Sequence, residues 1–91
     1  MRKSNVMALD VVGFSKMMGI NPTTTVETLS ARRNIIHDFI NRYNGKVFNE
    51  AGDSIVSEFS EGESAALCAM AIQTDMARLN LGSSADRKMI Y

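Results

Sequence analysis

The sequence has no tryptophan, one cysteine, one proline and one histidine, and its formal charges cancel. Each shortage excludes something. A single thiol, Cys68, cannot close an internal disulfide, so a disulfide-stapled secreted scaffold is excluded and a reducing compartment is expected, with the cytoplasm as the default. Ten basic residues against ten acidic ones leave no global field to draw the chain to nucleic acid or to an anionic membrane surface, and neither is expected as a partner. No apolar run approaches the roughly 20 residues that a bilayer requires. Met1-Arg2-Lys3 leads into a strand-like segment broken by Asp10 rather than into a signal-peptide core, so neither a membrane segment nor a secretion signal is expected.

What is present is enough for one small core. The chain has 91 residues, 45% of them hydrophobic, which predicts a single domain spanning 1–91. Met7, Met17, Met18, Met70, Met76 and Met89 are scattered through apolar stretches and read as core filler.

Periodicity divides the chain. Asn5 to Val12 is nearly continuously apolar, as expected for a strand covered on both faces. Gly13-Phe14-Ser15 turns the chain, a loop follows through Gly19, Asn21 and Pro22, and a hydroxyl of Thr23-Thr24-Thr25 is expected to cap a helix. Val26, Leu29, Ile36, Phe39, Ile40 and Tyr43 then recur at three- and four-residue spacing on a helix of about five turns, which Asn44-Gly45 stops. Lys46 to Asn49 and Ser54 to Phe59 read as a hairpin around Glu50-Ala51-Gly52-Asp53. Ser60-Glu61-Gly62-Glu63 combines a capping residue with first-turn acids and opens a second helix through Ala65, Leu67, Cys68, Met70, Ala71, Ile72, Met76 and Leu79. Lys88-Met89-Ile90-Tyr91 reads as the beginning of a further strand. The order is that of an α+β, ferredoxin-like βαββαβ sandwich, incomplete at its C-terminus, with an unpaired sheet edge and a tendency to self-associate.

In that topology the first strand neighbours the central hairpin, so Asp10 at a strand end faces Asp53 at the hairpin tip. Two carboxylates held together repel, and a hard divalent ion removes the penalty. Mg²⁺ takes oxygen ligands at about 2.0–2.1 Å and completes its shell with water and substrate phosphates, so two carboxylates are an ordinary protein share of such a site. Gly13 lets backbone approach a ligand, and Phe14-Ser15-Lys16 could present successive N–H groups to phosphate at a turn or a short helix start. Transfer at a nucleotide phosphate is the chemistry these groups suggest.

The motifs Ala8-Leu9-Asp10-Val11-Val12-Gly13-Phe14-Ser15 and Ala51-Gly52-Asp53-Ser54-Ile55-Val56-Ser57-Glu58-Phe59 resemble the opening strand, phosphate loop and central hairpin of the class III adenylate and guanylate cyclases. The similarity extends through the Ala-rich helix around Ala65 to Gln73 and covers essentially the whole chain. It implies a palm-like partial cyclase catalytic domain in which Asp10, Asp53 and the Val11 carbonyl hold two Mg²⁺ or Mn²⁺ ions. It further implies that Gly13, Phe14 and Ser15 cradle the triphosphate of ATP or GTP. In the family the 3′-hydroxyl attacks the nucleotide's own α-phosphate, releasing pyrophosphate, in a site shared by two catalytic domains packed head to tail. The base-reading position falls on Asn49, where the family carries lysine or glutamate, so base preference stays open. The family's second purine contact and its transition-state asparagine and arginine have no counterpart up to Tyr91, which implies that these residues alone are inactive.

Other chemically suggestive residues have plainer readings. His37, with nothing at metal-ligand spacing, reads as a partly exposed helix histidine. Arg32-Arg33 reads as solvated charge, Lys16 as a surface lysine and Cys68 as core. Two rival functions keep the fold: a non-catalytic cyclase-like regulatory or dimerisation module, and a ferredoxin-like interaction domain in which the aspartate pair is accidental. The diguanylate cyclases are disfavoured because the hairpin reads Ala-Gly-Asp-Ser rather than Gly-Gly-acidic-acidic-Phe.

Overall fold

The computed structural model describes residues 4–91, so the reading of Met1-Arg2-Lys3 falls outside the described residues. Strand β1 (Asn5–Leu9) alternates in burial, with Met7 and Leu9 inside and Val6 and Ala8 outside. A continuous apolar run predicts cover on both faces, but both long helices pack on one face only and Val6 remains 61% exposed on the other. The strand also ends three residues earlier than expected, leaving Asp10 just beyond it.

The expected loop after Gly13 is instead a short helix, α1 (Phe14–Ile20), which runs directly into α2 (Pro22–Arg42). Asn21, not a threonine hydroxyl, caps α2: its side chain accepts from the Thr24 N–H at 3.3 Å, with Pro22 at the first helical position where its missing N–H costs nothing. Thr25 instead donates its hydroxyl back to the Met17 carbonyl, tying the two helices together. The apolar stripe holds for Leu29, Ile36 and Ile40, which are buried, while Val26 faces solvent. Asn44 at φ 61° ends the helix in the left-handed region, and the Gly45 N–H closes it on the Ile40 carbonyl.

Strands β2 (Lys46–Ala51) and β3 (Ser54–Phe59) form the hairpin, two residues longer on its first arm than expected, so only Gly52-Asp53 turns. Gly52 sits at φ 56°, a conformation that favours glycine. β3 is central in an antiparallel sheet of order β1-β3-β2, pairing Leu9 with Ile55 and Glu50 with Ile55 from its two sides. Opposite Ser57 and Val56 the first arm carries Val47 and Asn49, so Phe48 is an extra residue and the strand is bulged there. Because strand side chains alternate with period two, this insertion sends Glu50, rather than Asn49, to the helix-covered face with Ile55.

Helix α3 (Gly62–Leu81) starts from Glu61 without a side-chain cap, contrary to the expected serine cap. Its Cys68, Ile72 and Met76 meet Met7, Leu9, Ile36, Ile40, Ile55 and Phe59 in the main core. Met7, Met76 and Met89 are buried as expected of filler, whereas Met70 is exposed. A second, smaller cluster joins Val11, Leu29 and Met89, with Phe14, Met17 and Tyr91 against it. After α3 a single 3-10 turn (Ala85–Arg87) leads into extended backbone, and the expected last strand is reduced to one ladder-like bond, from the Val12 N–H to the Ile90 carbonyl at 2.7 Å. Among the described residues no helix is long and apolar enough to cross a membrane.

Gly45 is required by contact rather than by φ. A Cβ there would overlap the Phe59 ring, meeting its Cζ at 2.6 Å, and would lie 2.9 Å from an Ile40 methyl. Gly45→Ala is therefore expected to destabilise the fold by about 1–3 kcal/mol through overpacking. Urea unfolding would read this as a lower midpoint at constant slope, and an unchanged midpoint would show that the ring moves aside freely.

Candidate functional site

The site sits where β1 ends beside the hairpin turn. Asp53 Oδ2 accepts a hydrogen bond from the Val11 backbone N–H at 3.0 Å, so the hairpin aspartate is fastened to the residue next to Asp10. Asp10 is exposed, Asp53 half-buried, and the Val11 side chain is buried in the small cluster with Leu29 and Met89. Burying Val11 fixes the backbone between the two aspartates. Gly13 follows at φ 70°, with open space where a Cβ would be, and Phe14 and Ser15 begin α1, whose first N–H groups have no helical partners. Lys16 is exposed on the same first turn. Asn49, by contrast, lies opposite Val56 on the face that the helices leave open, with Ala8 on the far side of Val56.

The chemistry of the donor set suits a hard cation, since two carboxylates on contacting backbone segments supply oxygen only. Among the described residues no group of three or more His, Cys, Asp or Glu side chains converges as a metal cage.

Arg32 and Arg33 are not the solvated charges that their sequence position suggests. Arg32 is only 4% exposed and bonds Asn80 Oδ1 at 2.7 Å, the Arg87 carbonyl at 3.3 Å and the Met76 sulfur at 3.3 Å. Burial holds its pKa below the ordinary value, against the opposing pull of Tyr91 and Asp75. Asn80 also brackets Met89, accepting from its N–H at 3.0 Å and donating to its carbonyl at 2.7 Å, so one side-chain amide replaces a strand neighbour for the last segment. Arg33 reaches the hairpin: its Nε lies 2.8 Å from Glu50 Oε1, off the N–H direction and so an ionic contact, while its Nη2 donates to the Gly52 carbonyl. His37 Nε2 lies 3.0 Å from the same Glu50 oxygen. Nothing in the local sequence marks these partners, because Glu50 faces α2 only through the Phe48 bulge.

Tyr91 closes the neighbourhood. Burial raises its phenol pKa, Arg32 and Arg33 pull it down, and Asp53 raises it again, so these groups share one electrostatic environment.

No model of a known protein family matches the chain. A Rhizobium meliloti (strain 1021) protein named Putative adenylate cyclase 3 is 31% identical over 90 residues, covering 98% of this chain and 15% of that protein. Adenylate cyclases from Trypanosoma brucei, solved in their monomeric state, superpose with a TM-score of 0.84 at 18% identity, over 90% of this chain and 36% of theirs. In sequence the chain is similar to a protein named as an adenylate cyclase, and in fold to solved nucleotide cyclases. An adenylate/guanylate cyclase/hydrolase from Silicibacter pomeroyi gives the same fold, with a TM-score of 0.75 at 23% identity over 96% of this chain and 53% of that one. The cyclase-like chain thus spans about a seventh of the curated relative and between a third and just over half of these structures.

Outside the site, Cys68 of this cyclase homologue lies fully buried in the main core, and burial pushes its thiol pKa up. The unfolded chain therefore loses this proton at lower pH than the folded one, and stability falls as pH rises past about 8.5, the ordinary thiol value. Cys68→Ala is expected to flatten the melting midpoint between pH 8 and 9.5. An alkaline decline equal to the parent's would assign it to other groups, Tyr91 first.

Proposed function

We propose that residues 1–91 form a partial adenylate/guanylate cyclase catalytic domain that supplies the metal-and-triphosphate half of a nucleotidyl cyclase site. The observation that carries this reading is the Asp53 carboxylate bonded to the Val11 N–H, which fastens the hairpin turn to the residue that follows Asp10. In this reading Asp10, Asp53 and the Val11 carbonyl hold two Mg²⁺ or Mn²⁺ ions. Bound there, such ions neutralise charge on the phosphates and acidify a nearby hydroxyl.

The chain's own residues bind and orient. Gly13 in the left-handed region turns the backbone into α1, and the first N–H groups of that helix, at Phe14 and Ser15, would take triphosphate oxygens. Asn49, on the open sheet face, offers both a donor and an acceptor to a purine edge, which suits ATP or GTP. The reaction class is cyclisation, in which a 3′-oxygen-to-phosphorus bond forms and the bond to pyrophosphate breaks. The remaining contacts come from a second cyclase domain packed head to tail against this one, consistent with a sheet whose Val6, Ala8 and Phe48 stand exposed on one face.

Thermal melting of the chain with millimolar Mn²⁺ and ATP or GTP tests the reading. A midpoint that rises with both ligands supports it. A folded sample whose midpoint is indifferent to Mn²⁺ and to either nucleotide refutes it.

A further inference from the structure

Asp53 stands on a two-residue turn, and a carboxylate on so short a turn is aimed only as well as the turn is held. Its two sides are held differently. From the β1 side the hold is the Val11 N–H on Asp53 itself. From the opposite side it is Arg33, halfway along α2, whose guanidinium donates to the carbonyl of Gly52 and makes an ionic contact with Glu50. Gly52 immediately precedes Asp53 and has the left-handed backbone that lets the chain reverse. Arg33 therefore grips the peptide group that joins Gly52 to Asp53, whose rotation would swing the Asp53 carboxylate away from the Val11 N–H.

The chemistry of the grip suits that task. A guanidinium presents a rigid fork of donors, so it engages a carbonyl and a carboxylate at once, which a single ammonium does not. Glu50 is also shared with His37 Nε2 at 3.0 Å, so the fork's far end is braced against α2 a turn further on. Arg33 is only about a third exposed, which limits solvent competition for these contacts. The Phe48 bulge is what turns Glu50 towards α2, so bulge, Glu50 and Arg33 operate as one device.

We infer that Arg33 is a positioning residue for the metal site: it acts through Gly52 and Glu50 to aim Asp53, without touching metal or nucleotide. This rests on the metal role proposed for Asp10 and Asp53. Groups that hydrogen-bond a ligand directly change metal affinity by about 10–100-fold when removed, and Arg33, which bonds the carbonyl preceding Asp53, is placed at the lower end of that range.

The test is titration of the full 91-residue chain with Mn²⁺ alone, reading free Mn²⁺ from its electron paramagnetic resonance signal at a temperature well below each variant's melting midpoint. Arg33→Ala is expected to weaken Mn²⁺ binding about tenfold or more, Arg33→Lys by less, and Glu50→Gln by less than Arg33→Ala because the Gly52 contact survives. Folding alone would move melting midpoints but not this graded order of affinities. Parent-like affinity in Arg33→Ala, alongside lost binding in Asp53→Asn, would overturn the positioning role and leave the proposed function standing. Undiminished Mn²⁺ binding by Asp53→Asn, or none by the parent chain, would instead bring down the metal site and this inference with it.

Discussion

An Asp10→Asn chain is expected to fold and yet to show no rise in melting midpoint on addition of Mn²⁺, alone or with ATP or GTP. Asparagine keeps the size of the side chain but removes its charge, and Asp10 is exposed, so the change leaves the core untouched. A ligand at about 100 times its Kd adds about 2.7 kcal/mol to the native state, a shift of roughly 10 °C or more for a domain this small. That whole shift should vanish. The metal-free comparison supplies a second sign. Because Asp10 is exposed, Asp10→Asn without metal should melt close to the parent. Asp53→Asn should lose the shift too, but melt slightly lower without metal, because the Val11 N–H gives up a charge-assisted partner for a neutral one. A Mn²⁺ shift retained in both variants would remove the aspartate pair from the proposed site.

Phe59→Ala is expected to cost about 3–5 kcal/mol, most of the stability of a small domain. Phe59 is the largest of the fully buried side chains, filling the space between the sheet, Ile40 and the backbone at Gly45. Truncating it removes that packing and leaves a cavity that the surrounding elements close only in part. The same cavity has room for a methyl group. In the Phe59→Ala background Gly45→Ala should therefore lose the part of its penalty that comes from the ring, keeping only the contact with the Ile40 methyl, for a coupling of about 1 kcal/mol or more in a double-mutant cycle. Additive effects in urea unfolding would mean that the ring and the glycine are independent.

The places where sequence and structure disagree are instructive. The topology was legible because each long element carries its own periodicity: Leu29, Ile36 and Ile40 mark the buried side of α2, and Ile55, Ser57 and Phe59 that of β3. With β1 pairing β3, the approach of Asp53 to the segment after Leu9 follows from chain order alone. Local chemistry was less legible. Asn21 displaced the threonines as cap because Pro22 suits the first helical position, and α1 formed where a glycine-containing loop was expected. The apolar run of β1 implied two covered faces, yet which face of a strand is covered depends on where α2 and α3 lie, and they lie together on one.

The sequence by itself determined the α+β order, the core stripes and the places of Asp10 and Asp53 on either side of the long amphipathic helix and the first hairpin arm, because these depend on residue spacing along a single element or on the order of elements. Only the tertiary structure decided what surrounds that pair. The Phe48 bulge shifts Glu50 onto the helix side, Arg33 crosses to Glu50 and Gly52, and Arg32 is buried to hold Asn80 and the Arg87 carbonyl. The reason is geometric: a one-residue change of register moves every following side chain to the opposite face, and a long arginine side chain is solvated or buried according to what stands across from it.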